Sequence, residues 1–252
     1  MPPTSPPPRP RARRSPPPPD TEHEPLLGRP GDALLPPNTA LHINLYLGTA
    51  PLTLLGLVLL LTIIPHAILT HPRLPLVSPH PLLQTLGYVL LVLAILILQP
   101  TSSLVPEAKR RARAWHAALQ GASAACFVAG VAVIEANKMV NKGVHFHSAH
   151  GVLGAASGVV LVGQYAFGVV MWLVPGVVGV GEERARGWWR WHRYSGYAVL
   201  VLLTGTVVSA AATPYVGGVL EVKMWMVVLA GVLVLAGVFP RVQLGKMREA
   251  RV

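Results

Sequence analysis

Runs of about 20 apolar residues without a charge alternate along this chain with short basic stretches. A helix rises 1.5 Å per residue, so a run of that length spans the ~30 Å hydrocarbon core of a bilayer. Six runs qualify, at residues 41–64, 80–98, 115–134, 150–174, 194–212 and 222–239. The sixth begins beside Glu221 and Lys223. Trp225 next to them suits entry at the membrane interface, and Pro240 with Arg241 marks its end. The pattern predicts an all-α, integral membrane, six-helix protein.

Composition supports the same class. Hydrophobic residues make up 52% and charged residues only 12%, where a soluble domain carries about a quarter charged. The net charge of +11 would suit nucleic acid, but its placement excludes that partner, because the basic residues flank the apolar runs. Of 21 Lys and Arg, 17 fall into four groups on one side of the predicted membrane. These are Arg9, Arg11, Arg13, Arg14 and Arg29; Lys109, Arg110, Arg111 and Arg113; Arg184, Arg186, Arg190 and Arg193; and Arg241, Lys246, Arg248 and Arg251. Only Arg73, Lys138, Lys142 and Lys223 lie opposite. Positive charge accumulates on the cytoplasmic side, which predicts that both termini are cytoplasmic, as an even number of spans requires. The single cysteine, Cys126, sits inside the third run and forms no disulfide framework.

Three domains are expected: a tail at 1–38, a membrane domain at 39–240 and a short basic tail at 241–252. The first tail is proline-rich, too poor in aromatic and β-branched residues to build a core, and reads as a disordered spacer with polyproline stretches. It lacks the charged start and apolar core of a signal peptide. Glu22, Leu26 and Leu27 fit an acidic dileucine pattern resembling vacuolar and lysosomal sorting signals, a short pattern that chance also produces. An endomembrane location follows from that reading, and the plasma membrane stays open.

The chain has ten histidines. His23 lies in the tail, and His42, His66 and His71 flank the first run as headgroup-level residues. Four others open successive runs: His80, His116, His150 and His192. With the amino terminus inside, His80 and His150 share the outer level and His116 and His192 the inner one. Two facing imidazoles at one depth can serve as axial ligands of an iron macrocycle, and a four-helix bundle is a recurrent frame for such a site. The spacing repeats too, since the step from His80 to His150 nearly equals that from His116 to His192, as in a parallel internal repeat. His150 and His192 each have glycine four positions on, Gly154 and Gly196, one turn deeper on the same face. A glycine there leaves room for a porphyrin edge, and Gly87 and Gly121 stand at other offsets beside His80 and His116. A structural zinc site would want four convergent ligands, usually with cysteine or carboxylate, whereas these histidines separate into two pairs with neither residue type beside them.

In order and spacing these motifs resemble the cytochrome b561 family of transmembrane di-haem electron carriers. They are His80-Pro81, His116-Ala117, His150 to Gly154, and His192-Arg193-Tyr194-Ser195-Gly196, and the steps from His80 to His116 and from His116 to His150 match the family's spacing. The sequence VIEANK at the end of the third run also looks like the family pattern. The resemblance covers about residues 45–240. It departs at His147-Ser148-Ala149-His150-Gly151, where many members carry H-S-W-x-G. His150 is preferred as the ligand because it preserves the spacing from His116, which leaves His145 and His147 on the rim near Lys138 and Lys142.

The resemblance implies a central four-helix bundle with two b haems on His80/His150 and His116/His192, and no side chain acting as a catalytic acid, base or nucleophile. It implies a transmembrane oxidoreductase with an ascorbate-like cytosolic donor and a monodehydroascorbate or ferric-chelate acceptor. The protein would be surrounded by membrane lipid, and a homodimer is allowed. Arg110, Arg113, Arg186, Arg190 and Arg193 would attract an anionic donor or only set topology; Lys138 and His147 would serve the acceptor side. The competing reading is a metal-ion or proton transporter using intramembrane histidines. That reading wants acidic partners inside the helices, and only Glu135 comes near. A membrane scaffold with incidental histidines is the third reading.

Overall fold

A computed structural model of the chain describes residues 40–101, 106–177 and 182–242, with side chains omitted at 174–177 and 182–187. The proline-rich tail, its dileucine pattern, the terminal basic tail and the side chains of Arg184 and Arg186 lie outside the described residues. The described part is helical. In order it comprises α1 (Ala50–Thr70), α2 (Pro79–Leu98), α3 (Pro106–Asn141), α4 (Ala149–Val177), α5 (Glu182–Ala210) and α6 (Met224–Val238).

All six expected runs fall on these helices, with shifted ends. The first differs most. Residues Leu41–Leu45 form a separate 3-10 turn, and α1 starts at Ala50 with Pro51 in its first turn. Between them the chain turns at Gly48, with φ of +55°, a backbone conformation that glycine adopts without a Cβ clash. At its other end α1 runs through Pro65 to Thr70, past the expected stop at 64, since an apolar helix among neighbours absorbs a proline's lost hydrogen bond. Helix α3 has 36 residues, more than a bilayer needs, so it projects beyond the membrane carrying the Lys109–Arg113 group. Five helices are long and apolar enough to span, namely all but α5. The first half of α5 is charged, and its apolar half begins at Tyr194, as expected.

Packing follows the hairpins. Helices α2 and α3 pack closely along their length, as do α4 and α5, while α1 packs on α6. The two hairpins meet chiefly where α2 approaches α5, around the fully buried Tyr88, Val92 and Leu200. There the Tyr88 and Thr204 hydroxyls hydrogen-bond at 2.7 Å. The α1–α6 contact relies on a small residue. A Cβ at Gly56 would collide with the Ala230 carbonyl and the Val234 side chain, so glycine permits the close approach that drives helix association in lipid. The result is a bundle of two similar hairpins, flanked by the α1–α6 pair.

Capping explains one surprise. Arg241, expected to be a topology-setting surface charge, is 5% exposed. Its guanidinium donates to the carbonyls of Asn44 at 2.7 Å and Leu96 at 3.4 Å. The Asn44 amide donates to Ile97 O at 2.7 Å, and Gln99 Nε2 to Val238 O at 3.1 Å. The last carbonyls of a helix lack intrahelical partners and carry partial negative charge. These side chains supply the missing donors at the ends of α2 and α6.

Candidate functional site

Each of the four run-opening histidines, two of which (His116 and His192) lie well inside α3 and α5, makes its Nδ1 contact with the opposite helix of its own hairpin. His80 Nδ1 lies 2.8 Å from Gly130 O, and His116 Nδ1 lies 2.9 Å from Ala94 O. In the second hairpin His150 Nδ1 lies 3.0 Å from Thr206 O, and His192 Nδ1 lies 3.2 Å from the Gln164 side-chain nitrogen. In every helix the partner position follows that helix's own histidine by the same step: 80 and 94, 116 and 130, 150 and 164, 192 and 206. One frame, used twice, therefore sets two histidine levels about 21 Å apart at a rise of 1.5 Å per residue. That separation fits well within a bilayer.

At one level His80 and His150 face each other across the hairpins, with ring centroids 6.2 Å apart and planes at 80°. At the other, His116 lies within electrostatic range of His192. Phe167 and Trp189 meet the His192 ring edge-on, with centroids 5.6 Å and 6.0 Å away. A backbone carbonyl only accepts, so His80, His116 and His150 must donate from Nδ1. Each then presents an unprotonated Nε2, the tautomer a metal ligand requires.

Glycine serves this frame in a way only partly foreseen. A Cβ at Gly121 would meet nothing within 4 Å, and one at Gly154 only the Thr206 methyl at 3.9 Å. These two are open, as a flat macrocycle beside them needs. Gly196 and Gly87 are not. A Cβ at Gly196 would lie 3.0 Å from Gln164 Nε2, and one at Gly87 3.1 Å from the Phe127 ring. Protein side chains fill the space expected for a porphyrin edge at those two positions. Gly168, which the sequence did not single out, makes room for His192 itself, whose Cε1 would lie 3.1 Å from a Cβ there.

Beyond the His80/His150 level, Glu135 pairs with Lys138 at 2.9 Å and with His145 Nε2 at 2.7 Å. Lys138 is near enough to be felt electrostatically by both His80 and His150. His147 is exposed, its Nδ1 3.0 Å from Val144 O. Beyond the other level Arg113 is exposed, Arg110 pairs with Glu107 at 2.7 Å, and Arg190 lies over the Trp191 ring at 5.4 Å. The sequence therefore located the histidines and the rim charges. It missed the carbonyl acceptors of Gly130, Ala94 and Thr206, the amide of Gln164 behind His192, and Gly168, which makes room for that ring. Gln164 had left a signal, as the one amide in the apolar run of α4.

Residues 79–214, α2 to just past α5, match the family model of eukaryotic cytochrome b561. The chain belongs to that family. No curated protein and no solved structure matches it. The matched span holds both hairpins and all four histidines and leaves out α1 and α6. As a cytochrome b561 the chain is a multi-pass membrane protein of haem-dependent transmembrane electron transfer, an oxidoreductase whose family binds b haem.

Proposed function

We propose that this cytochrome b561 carries single electrons across its membrane from a cytosolic ascorbate-like donor to monodehydroascorbate or a ferric chelate. The path would run through two b haems, one held by His116 and His192 on the inner side and one by His80 and His150 on the outer side. The observation that supports this most is the doubled frame, which sets two imidazoles at each of two depths and faces the outer two toward each other. Separation at the outer pair fits the group. Two metal–nitrogen bonds of about 2 Å, plus about 1.1 Å from each ring centre to its nitrogen for C–N bonds near 1.33 Å, would give centroids about 6.2 Å apart. The observed value is 6.2 Å.

When bound, bis-imidazole b haem supplies a one-electron carrier whose potential is tuned by burial and hydrogen bonding. The protein's share is orientation. Backbone carbonyls of Gly130, Ala94 and Thr206 fix three rings without depending on any side chain. Surrounding hydrocarbon keeps water from the spans. At the inner mouth Arg113 and Arg190 attract an anionic donor, while Arg110 is partly neutralised by Glu107. On the outer rim Lys138 and His147 meet the acceptor. Two further features belong to this reading, both termini in the cytoplasm by the 17-to-4 basic split and a vacuolar or endosomal membrane by the dileucine pattern. A homodimer in lipid is compatible with it.

The transporter alternative needs an acidic group inside the bundle. Glu135 is tied to Lys138 and His145 at the rim, and the described residues hold no cluster of three or more His, Cys, Asp or Glu able to bind a metal ion. The two readings separate in sealed proteoliposomes. Ascorbate trapped on the inner-mouth side should reduce an external ferric chelate, with no metal ion or proton flux required. Metal-ion uptake without electron transfer would favour the transporter.

A further inference from the structure

Three of the four histidines lean on a backbone carbonyl, and His192 does not. Position 164 is the counterpart of Ala94, whose carbonyl serves His116. On α4 the side chain at that position takes over. Gln164 Nε2 lies 3.2 Å from His192 Nδ1 and donates to the His192 carbonyl at 2.9 Å. Ser195 Oγ stands 2.7 Å from Gln164 Oε1 and 2.8 Å from Trp191 O. Gly196 has no Cβ that would crowd the amide. The Ser195-Gly196 half of the H-x-Y-S-G motif is thus a seat for Gln164.

We infer that Gln164 is the positioning residue of His192 and the adjustable element that sets the inner haem's potential apart from the outer one, an inference that rests on the ligation proposed above. In the orientation described, the amide donates to Nδ1, which fixes the hydrogen of the ring on Nε2. Ligation through Nε2 requires the reverse, a hydrogen on Nδ1 and an acceptor behind it. A half-turn of the amide supplies this. It sets Oε1 against Nδ1 and turns the NH₂ group to Ser195 Oγ, whose own hydrogen goes to the Trp191 carbonyl. The Ser195 hydroxyl accommodates both orientations because it both donates and accepts, while the half-turn gives up the amide's bond to the His192 carbonyl, so Oε1 must draw back from that oxygen. A backbone carbonyl has no such freedom, and only a side-chain acceptor can be exchanged by substitution. A stronger acceptor behind an axial imidazole makes it more electron-donating and favours the oxidised metal.

The test is redox titration of the purified haem-loaded protein, read at each b-type absorption band, with haem-to-protein ratio and low-spin electron paramagnetic resonance measured alongside. Gln164→Glu, an acceptor only, should lower the potential of the haem that His116→Ala removes. Gln164→Leu, with no acceptor, should raise it and shift its resonance. The other haem should stay where it is in both. Opposite signs distinguish hydrogen-bond control from a packing role, which would move both variants alike. If Gln164→Leu does not retain the inner haem, the sign of the Gln164→Glu shift alone decides. Unchanged potentials in both variants, or equal shifts in one direction, would overturn the role of Gln164 and leave the ligation standing. Retention of both haems in His192→Ala would overturn the ligation itself.

Discussion

His80 and His150, far apart in the chain, stand with ring centroids 6.2 Å apart at the meeting of two helical hairpins. Neither ring is free to turn. His80 is tied to the Gly130 carbonyl and His150 to the Thr206 carbonyl, each on the other helix of its own hairpin. Intra-hairpin bonds thus orient a pair that forms only between hairpins. Assembly of the second hairpin on the first completes the site, and damage to either hairpin's register should empty it.

The glycines separate cofactor space from packing space. Gly121 and Gly154 border open space, whereas Gly87 abuts Phe127 and Cys126. Gly121→Leu and Gly154→Leu should yield well-folded protein with a reduced haem-to-protein ratio. Gly87→Leu should destabilise the bundle itself, by roughly 1–3 kcal/mol as overpacking does. Size-exclusion profiles and haem quantitation in one detergent, compared across the three variants, check this.

Arg241 holds helix ends together. Removing its guanidinium leaves the Asn44 and Leu96 carbonyls without that donor. Arg241→Met should cost roughly 1–3 kcal/mol for the stronger of these, the penalty of an unpaired buried group. Thermal unfolding in detergent should fall accordingly, while the ratio of the two haem bands stays unchanged. A haem-specific loss at normal stability would contradict the capping role.

Orientation is tested by labelling. In a Cys126→Ser background, Lys142→Cys, exposed beyond the end of α3's apolar part, should react with an impermeant maleimide in sealed right-side-out vesicles. Arg110→Cys should react only after permeabilisation. The reverse pattern would invert the donor and acceptor faces.

Much of this was legible in the sequence because membrane helices alternate direction. Once the runs are counted, a shared level for His80 and His150 follows, and the structure sets their rings 6.2 Å apart. What stayed hidden was held by the backbone. The carbonyls of Ala94, Gly130 and Thr206 carry no residue-type signature, so the repeated histidine-to-partner step emerges only from coordinates. Gly196 misled for a related reason. Its offset from His192 is that of Gly154 from His150, yet a long amide from α4 reaches it and nothing comparable reaches Gly154. Arg241 misled because a charge after an apolar run normally faces water, and here it closes helix ends instead. The entry to α1 shifted because the apolar run from 41 hides the turn at Gly48.

The most direct test of the central claim is haem stoichiometry in histidine variants. Purified, dithionite-reduced protein should show b-type bands and two haems per chain. His116→Ala and His192→Ala should lose one and the same haem, and His80→Ala and His150→Ala the other. His147→Ala, exposed on the rim, should keep both. Loss of the outer haem in His147→Ala but not in His150→Ala would move the ligand to the earlier histidine. Unaltered haem content in all five variants would contradict the account.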